Sequence, residues 1–474
     1  MERAVLHRSR TGRKFIQKRH RMKAKVENKQ AHMFSNLDLR KLLIPLMIEQ
    51  LLNCLMGMVD TVMVSNVGSA AISAVSLVDS LNILVIQAFT ALSAGGTIVC
   101  AHYIGKKERE QATEAARQTV LVVTVMAVVL MVICLAFQRP LLQFIFGSVE
   151  PDVMQASLTY FFYTAISFPF IGLYDAGASI FRAQENSRCP MTISVISNFL
   201  NIGGNAFFIW GLHMGVKGAA IATLASRIFC GIAVMYFLYK PSNRIPVREY
   251  RTIRPRKSLI GKILRIGIPS GIENGMFQFG KLAIQSTVST LGTISIAAQA
   301  MTNMLEMLNG MAIMGIGIGL MTIVGQCMGA GRKDEAAYYI KKLTAVGEVG
   351  VIICCLAVFA LTKPVTILGG MESESAAMCL QMMFAITLVK PIVWTLSFIP
   401  AYGLRAAGDV RFSMIVSAAS MWIFRVSLCV FLCRCMGFGP MAVWIGMFTD
   451  WTVRAVIFTA RFYSGKWMNF HVIH

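Results

Sequence analysis

Residues 43–64 read LIPLMIEQLLNCLMGMVDTVMV, and this stretch decides the fold. It matches the run of about 20 apolar residues that crosses the hydrocarbon core of a bilayer as a helix. Yet it contains Pro45, Glu49 and Asp60. A carboxylate at the centre of a membrane helix costs about 2.5–3.5 kcal/mol unless it faces a partner or a cavity, so it predicts a functional site. The remaining chain supplies helices around this one and a second copy of it.

The composition predicts an all-α integral membrane protein. Of the 474 residues, 56% are hydrophobic and only 14% are charged, which leaves too little polar surface for a soluble protein of this length. Long apolar runs favour helices over the short alternating strands of a barrel, because a helix satisfies its own backbone in lipid. We predict twelve transmembrane helices, near residues 42–64, 71–101, 118–138, 156–181, 191–210, 217–239, 263–290, 294–326, 343–363, 376–402, 412–433 and 440–462.

The net charge of +22 lies mostly outside the apolar runs. Eleven Lys or Arg residues fall between Arg3 and Lys29, which favours a disordered tail beside anionic lipid over a nucleic-acid-binding segment. This basic start lacks a short apolar core with a cleavage site, so we expect the first helix to act as an uncleaved insertion signal. Strongly basic loops alternate with loops that have few basic residues. The positive-inside rule then places both termini in the cytoplasm. We expect the multi-pass chain to lie in the cytoplasmic (inner) membrane.

The two halves of the chain repeat. Pro45 and Glu49 in the first helix match Pro269 and Glu273 in the seventh, with the same spacing. Because each half has six helices, the second half enters in the same orientation, so the two lobes are related by a pseudo-twofold axis along the membrane normal. Two loop sequences also recur in order, GKKE at 105–108 as GRKD at 331–334 and FRAQ at 181–184 as LRAA at 404–407.

The predicted organisation follows from this repeat and from the proline-containing basic loop between the halves. It comprises a basic cytoplasmic tail at 1–41, an amino-terminal six-helix lobe at 42–240, a cytoplasmic linker at 241–262, a carboxy-terminal six-helix lobe at 263–463 and a cytoplasmic tail at 464–474.

Further motifs lie on this frame, namely VDT at 59–61, GKKER at 105–109, FRAQEN at 181–186, Asn201-x-x-x-Asn205, GAAIAT at 218–223 and LRAAGD at 404–409. Together and in this order, they resemble the multidrug and toxic compound extrusion (MATE) family of bacterial type. The resemblance covers nearly the whole chain after residue 33. It implies a cation-coupled exporter of bulky, often cationic amphiphiles, in which sodium or protons move inward while substrate moves outward.

The resemblance implies that Asp60 couples transport to the cation. The family's matching acid works with polar residues that fall here on Asn201, Asn205 and Thr223. The residue types fit, because Asn201 and Asn205 are four apart and share a helix face. A carboxylate, two amide oxygens and a hydroxyl suit a hard cation such as sodium, and a buried carboxylate could carry a proton instead. One branch of the family has an acid where Asn205 stands, which leaves the ion open. The alternative is ordinary hydrogen bonding between helices.

Three further acids are candidates for a gate or a proton site. Glu49 and Glu273 occupy equivalent places near Pro45 and Pro269, where a proline releases a backbone hydrogen bond and permits bending. Alternatively, each caps a helix or pairs with a basic residue of a loop. Asp175 lies beyond Pro169 and is expected either to line the cavity of the first lobe or to be a paired structural carboxylate.

The second lobe carries basic residues instead of the acids found in one branch of the family, with Phe277 and Trp394 at the matching places. We predict a substrate cavity lined by Lys281 and Lys390. Unpaired cations there would repel a cationic compound and admit an anionic or zwitterionic one. Methionine is flexible and polarizable, so the stripe on the eighth helix suits a surface for varied apolar shapes, although plain packing also explains it. The cavity candidates on this stripe are Met304, Met307 and Met311.

Two functions are compatible with these features. The first is cation-coupled efflux, by sodium or proton antiport, of bulky amphiphilic and cationic compounds through alternating access. The alternative is a flippase for lipid-linked saccharides or another anionic lipid, because the same superfamily architecture includes such proteins. A flippase would need an additional helix pair that forms a lipid groove, and twelve spans leave no room for it.

Other classes of protein are not indicated. The sequence has no catalytic motif, so we predict no enzyme and no cofactor apart from the transported sodium or proton. Its twelve scattered Cys residues indicate neither a disulfide framework nor a zinc site, and the only metal expected is a sodium ion at Asp60. We expect a monomer whose partners are a small-molecule substrate and the lipid bilayer, with no nucleic acid.

Overall fold

The computed structural model describes residues 32–65, 67–147, 150–241, 243–248 and 253–473. Residues 1–31 of the predicted tail at 1–41 lie outside this range. The chain divides into two units, residues 1–39 and residues 40–474. In the first unit, Ser35 and Asp38 form a reciprocal cap, because the Ser35 N–H donates to Asp38 Oδ2 at 3.0 Å and the Asp38 N–H donates to Ser35 Oγ at 3.2 Å.

The described residues are helical and contain no strand. The first half comprises α1 (Asn36–Ser65), α2 (Ser69–Gly105), α3 (Arg109–Ala136), α4 (Gln138–Phe146), α5 (Pro151–Ile166), α6 (Phe168–Ala183), α7 (Arg188–Asn205) and α8 (Gly215–Tyr239). The second half comprises α9 (Lys257–Val288), α10 (Thr293–Gly329), α11 (Lys333–Leu368), α12 (Ser373–Ala407), α13 (Val410–Ser420), α14 (Ser427–Cys435) and α15 (Met441–Tyr463).

These helices correspond to the twelve predicted spans. Within the described residues, ten helices are long and apolar enough to cross a membrane. A further pair, α5 and α6, passes the same test together, bent by 44° at Ser167. The remaining span is α9, whose Glu273, Asn274, Gln278 and Lys281 make it more polar than the others.

The sequence prediction missed three local features. The short helix α4 occupies a segment that was predicted as a loop. The prediction missed it because nine residues are too few to give a membrane signal. The fourth predicted helix is broken into α5 and α6, with Pro169 at the start of α6. The fifth and eleventh predicted helices each contain a π-helical turn, Ala206–Gly211 after α7 and Met421–Val426 between α13 and α14. Such turns occur frequently at functional sites.

Each half packs as a lobe. In the first lobe (α1–α8), α2 contacts α3, α5 and α6, while α8 contacts α6 and α7. In the second lobe (α9–α15), α12 contacts α10, α11 and α15. The lobes meet where α2 lies against α9 and α10. The predicted all-α fold with two lobes is thus observed in the helix packing.

The lobes approach most closely at one end of the bundle, which we call the basic end and define by the loops at 106–108, 184–187, 330–332 and 408–409. There His102 Nε2 donates to the carbonyl of Ala406 at 2.8 Å, and Gln326 Nε2 donates to the carbonyl of Ala183 at 3.0 Å. Each bond joins one lobe to the other, and the two bonds occupy matching places in the repeat. We call these two hydrogen bonds between the lobes the reciprocal latch, and the donor side chains of both are buried.

Candidate functional site

The four residues predicted to couple transport form one connected group in the first lobe. Asn205 Nδ2 donates to Asp60 Oδ1 at 2.5 Å and lies 3.4 Å from Asn201 Oδ1. Asn201 Nδ2 in turn donates to Thr223 Oγ1 at 3.4 Å. Three helices therefore contribute, since Asp60 lies on α1, the two asparagines on α7 and Thr223 on α8. The four-residue spacing of the asparagines places both amides on one face, as predicted.

The group has acceptor oxygens that fit a cation. Asn205 is fully buried, yet its Oδ1 has no hydrogen-bond partner among the described residues. Because Asn205 directly precedes the π-helical turn, its amide lies where the regular α-helix ends. A carboxylate beside an unpaired amide oxygen suits a hard cation or a proton. Across the described residues, no cluster of three His, Cys, Asp or Glu side chains could hold a metal ion.

Two charged residues that the sequence analysis did not assign to this group interact with it. Arg227 Nη1 on α8 donates to Ser167 Oγ at 2.8 Å and interacts electrostatically with Asp60. Asp79 on α2 accepts a hydrogen bond from Asn82 at 3.3 Å and interacts with both Asp60 and Arg227. Arg227 is a charged residue inside a predicted membrane helix, and this unusual position could have assigned it to the group.

Asp175 lies in the same lobe, deeper towards the basic end. Thr90 Oγ1 donates to Asp175 Oδ2 at 3.0 Å, which joins α2 to α6. Asp175 also interacts electrostatically with Arg182, Glu49 and Arg227. The structure therefore brings Asp175 near Glu49, while the role of either residue in gating or proton transfer remains a prediction.

Glu49 and Glu273 each form an ion pair within their own lobe. Arg182 Nη2 lies 2.9 Å from Glu49 Oε1, and Arg405 Nη2 lies 2.7 Å from Glu273 Oε1. Both carboxylates are 2% exposed, so each buried charge is compensated by one partly buried arginine. Of the alternatives considered, the structure shows pairing with a basic residue. Arg182 and Arg405 belong to the repeated FRAQ and LRAA sequences, so the two pairs are equivalent.

We expect Arg182→Ala to destabilise the protein strongly. It leaves Glu49 charged and buried without its ionic partner, and breaking a buried pair in this way costs about 3–5 kcal/mol. The double variant Glu49→Gln with Arg182→Ala should regain part of this loss, because no buried charge remains. Thermal aggregation of the purified protein in detergent measures the effect. Arg265→Ala is the control, because Arg265 is exposed and has no partner among the described residues.

The basic residues of the second lobe are partly paired. Lys390 does not line an open space, because it is fully buried with its Nζ 2.5 Å from Glu306 Oε1. Lys281 on α9 is exposed and forms no ion pair among the described residues. Asp450 lies 3.9 Å from Arg425 Nη1 and 4.0 Å from Arg454 Nη1, which includes the pair expected from the four-residue spacing on α15.

The methionine stripe lies on the exposed face of α10. Met304 and Met307 are 42% and 46% exposed, whereas Thr302 and Asn309 on the opposite face are fully buried. Met311 is half-buried. Packing within the lobe therefore accounts for the polar face of α10, and it does not account for Met304 and Met307.

Comparison with known protein families identifies the family to which the chain belongs. The sequence model of the MatE family matches the chain twice, at residues 45–207 and 269–431. The chain belongs to the MATE family. Each match begins at the proline that precedes Glu49 or Glu273 by four residues, so the two matches coincide with the repeat.

Relatives named as multidrug proteins match the chain over most of its length. A probable multidrug resistance protein NorM of Thermotoga maritima is 26% identical over 443 residues, which cover 91% of this chain and 92% of the relative. The multidrug and toxin extrusion protein 1 of Oryctolagus cuniculus is 22% identical over 89% of this chain and 74% of its own length. The chain is therefore a multi-pass membrane transporter of a multidrug efflux family and not an enzyme.

A solved structure confirms the fold. It is described as the outward-facing conformation of a multidrug resistance MATE family transporter, and it matches with a TM-score of 0.84 at 19% identity over 90% of this chain and 96% of its own chain. The two-lobe, twelve-helix architecture predicted from the sequence is confirmed by this likeness.

Proposed function

We propose that this MATE transporter exports bulky amphiphilic compounds in exchange for a sodium ion or a proton that binds at Asp60. The observation that carries the proposal is the connected group of Asp60, Asn205, Asn201 and Thr223. Its carboxylate and the unpaired Asn205 Oδ1 supply the acceptors that a transported cation needs. Ionisable groups inside a membrane bundle are rare and typically mark ion pathways.

The exchange follows because the cation and the substrate compete for the negative charge of the first lobe. When a cation occupies Asp60, the carboxylate is neutralised and the Asn205 amide is released from it. A substrate attracted by the negative charge of the first lobe then binds more weakly and leaves. Because Asp60 and Asn205 lie on α1 and α7, occupancy of the site also changes the packing between these helices. Alternating access of the two lobes then returns the empty site to the other side.

The proposed preference for cationic compounds rests on the first lobe. Asp60 and Asp79 interact with the same cation, Arg227, and Asp175 interacts with Arg227 and with Arg182, which is already paired with Glu49. This excess of negative charge would attract the positive group of an amphiphile. We further propose that both termini lie in the cytoplasm and that the protein acts as a monomer in the inner membrane, as the loop charges and the single pair of lobes suggest.

The flippase alternative is not favoured. The curated relatives described above are named as multidrug proteins, and the solved neighbour is a multidrug resistance transporter. The described helices correspond to the twelve predicted spans and include no additional pair for a lipid groove.

Efflux from energised inverted vesicles tests the proposal. Ethidium, a fluorescent cation, is followed with a sodium gradient or a proton gradient imposed separately. We expect one gradient to drive ethidium accumulation and the other to leave it near the level of vesicles without the transporter. Ethidium movement that is equal with and without a gradient would contradict coupling, and an absence of ethidium transport by folded protein would contradict the cationic preference.

A further inference from the structure

The second lobe contains a cluster of six charged side chains, which we call the second-lobe cluster. Its cations come from four different segments, and its acids from α10 and α15. Lys281 interacts electrostatically with both Glu306 and Arg425, and Asp450 lies within 4.0 Å of Arg425 and of Arg454, so the members are in electrostatic contact. The members are Lys281, Glu306, Lys390, Arg425, Asp450 and Arg454.

The acids of this cluster do not neutralise its cations. Lys390 bonds to Glu306 through both the carboxylate, at 2.5 Å, and the backbone carbonyl, at 3.1 Å. Asp450 is shared between two arginines, so two of the four positive charges lack an acid of their own. The nearby Glu273 is already bonded to Arg405, so that pair adds no net charge.

Three guanidinium nitrogens of the cluster also lack a hydrogen-bond acceptor among the described residues. Asp450 Oδ1 accepts from Ser420 Oγ at 2.5 Å, while Asp450 Oδ2 has no hydrogen-bond partner among the described residues. Within the same described set, Arg425 Nε and both Nε and Nη1 of Arg454 are buried without an acceptor. The Arg454 guanidinium also faces aromatic rings, with Phe398 at 4.5 Å from its guanidinium carbon to the ring centre. Buried donors that remain unpaired are costly, so a missing acceptor is indicated.

We infer that the second-lobe cluster binds the anionic group of an amphiphile, such as a carboxylate, a sulfonate or a phosphate. Lys281 and Arg425 supply the contacts, and Arg454 supplies long-range attraction. This inference extends the proposed function, because it adds a second kind of substrate group to the one that the first lobe attracts. The charges of the two lobes are opposite, so compounds with an anionic group would enter the second lobe and be repelled by the first.

The surroundings favour an amphiphile over a small inorganic anion. Met307 directly follows Glu306 on α10 and is 46% exposed. An apolar body can therefore rest against the Met307 thioether while its anionic group reaches Lys281, the exposed member of the cluster.

Binding of two related dyes to the purified, detergent-solubilised transporter tests the inference. Fluorescein is anionic and rhodamine 123 is cationic, and both share a xanthene body. Fluorescence anisotropy gives the Kd for each dye. We expect Lys281→Gln to weaken fluorescein binding about tenfold or more, as expected for the loss of a charge-assisted contact, and Lys281→Glu to weaken it further. Rhodamine 123 should bind to Lys281→Gln as well as or better than to the native chain.

Controls separate this inference from the proposed function. Lys363→Gln should not change fluorescein binding, because Lys363 is an exposed lysine of α11 outside the cluster. A failure of gradient-driven ethidium efflux with intact fluorescein binding would overturn only the proposed function.

Three outcomes would overturn the inference. The first is that Lys281→Gln binds fluorescein with the same affinity as the native chain. The second is that Lys363→Gln loses as much fluorescein affinity as Lys281→Gln. The third is that sodium chloride alone displaces fluorescein while an anionic amphiphile does not. Displacement by dodecyl phosphate but not by phosphatidylglycerol in mixed micelles supports a water-soluble amphiphile as the source of the anion. Displacement by both supports a site that also accepts lipid head groups.

Discussion

Replacing Asp60 with asparagine is expected to abolish gradient-driven efflux. Asparagine has nearly the same shape, so the hydrogen bond to Asn205 can be kept or reversed while the charge is lost. Without that charge the site holds neither a sodium ion nor an exchangeable proton. Losing a contact to a charged group costs about 2 kcal/mol or more, so we expect the rate of ethidium efflux to fall about 30-fold or more.

The matched control is Asp152→Asn. Asp152 is an exposed aspartate in the first turn of α5, away from the coupling group, and its replacement should leave efflux unchanged. Asp60→Glu keeps the charge and should retain partial transport, which distinguishes loss of charge from loss of folding. Efflux by Asp60→Asn at the native rate, still driven by the gradient, would move coupling to another acid, with Asp79 and the Glu49 and Glu273 pairs as the next candidates.

Much of this arrangement could be read from local sequence patterns. The long apolar runs predict the spans, because each helix must satisfy its own backbone in lipid. The four-residue spacing of Asn201 and Asn205 predicts a shared face, and the structure places both amides in one group with Asp60. Helix ends were less predictable. For example, α3 begins at Arg109 and not near residue 118, because its polar first turns continue the helix beyond the apolar core.

Contacts between distant segments could not be read in this way. Glu49 and Arg182 are separated by 133 residues, and Glu273 and Arg405 by 132, so only the fold reveals that they pair. Lys390 seemed free to line a cavity because its acid, Glu306, lies 84 residues away on another helix. The repeat nevertheless contained a usable signal, since both glutamates and both arginines recur in the matched halves.

Closure of the basic end depends on two glycines. A Cβ at Gly105 would overlap the carbonyl oxygen of Gln326, and a Cβ at Gly329 would overlap the carbonyl oxygen of His102. These contacts are made by α2 of the first lobe and α10 of the second, beside the reciprocal latch. Because both neighbours are backbone atoms, no side-chain rotation can make room. Small residues are what allow membrane helices to approach so closely.

We therefore expect Gly329→Ala to prevent the lobes from closing at the basic end. Overpacking costs about 1–3 kcal/mol in a well-packed contact, which shifts the ratio of closed to open forms about 5-fold to 150-fold towards the open form. The affinity for a substrate that enters from the basic end should be kept or increase, while efflux falls, because release requires the closed basic end. Alkylation of Cys327 by N-ethylmaleimide, followed by mass spectrometry, reports the opening, since Cys327 is fully buried beside this contact.

Gly261→Ala provides the control for this prediction. Gly261 lies in α9, and a Cβ there meets nothing within 4 Å, so alanine should leave closure intact and stabilise the helix slightly. If Gly329→Ala is labelled at Cys327 no faster than Gly261→Ala, the latch does not depend on the glycine contact. Gly105→Ala should reproduce the effect of Gly329→Ala, because the two glycines end α2 and α10, and each lies against a backbone carbonyl of the other helix. A large effect at only one of them would mean that the two lobes contribute unequally to closure.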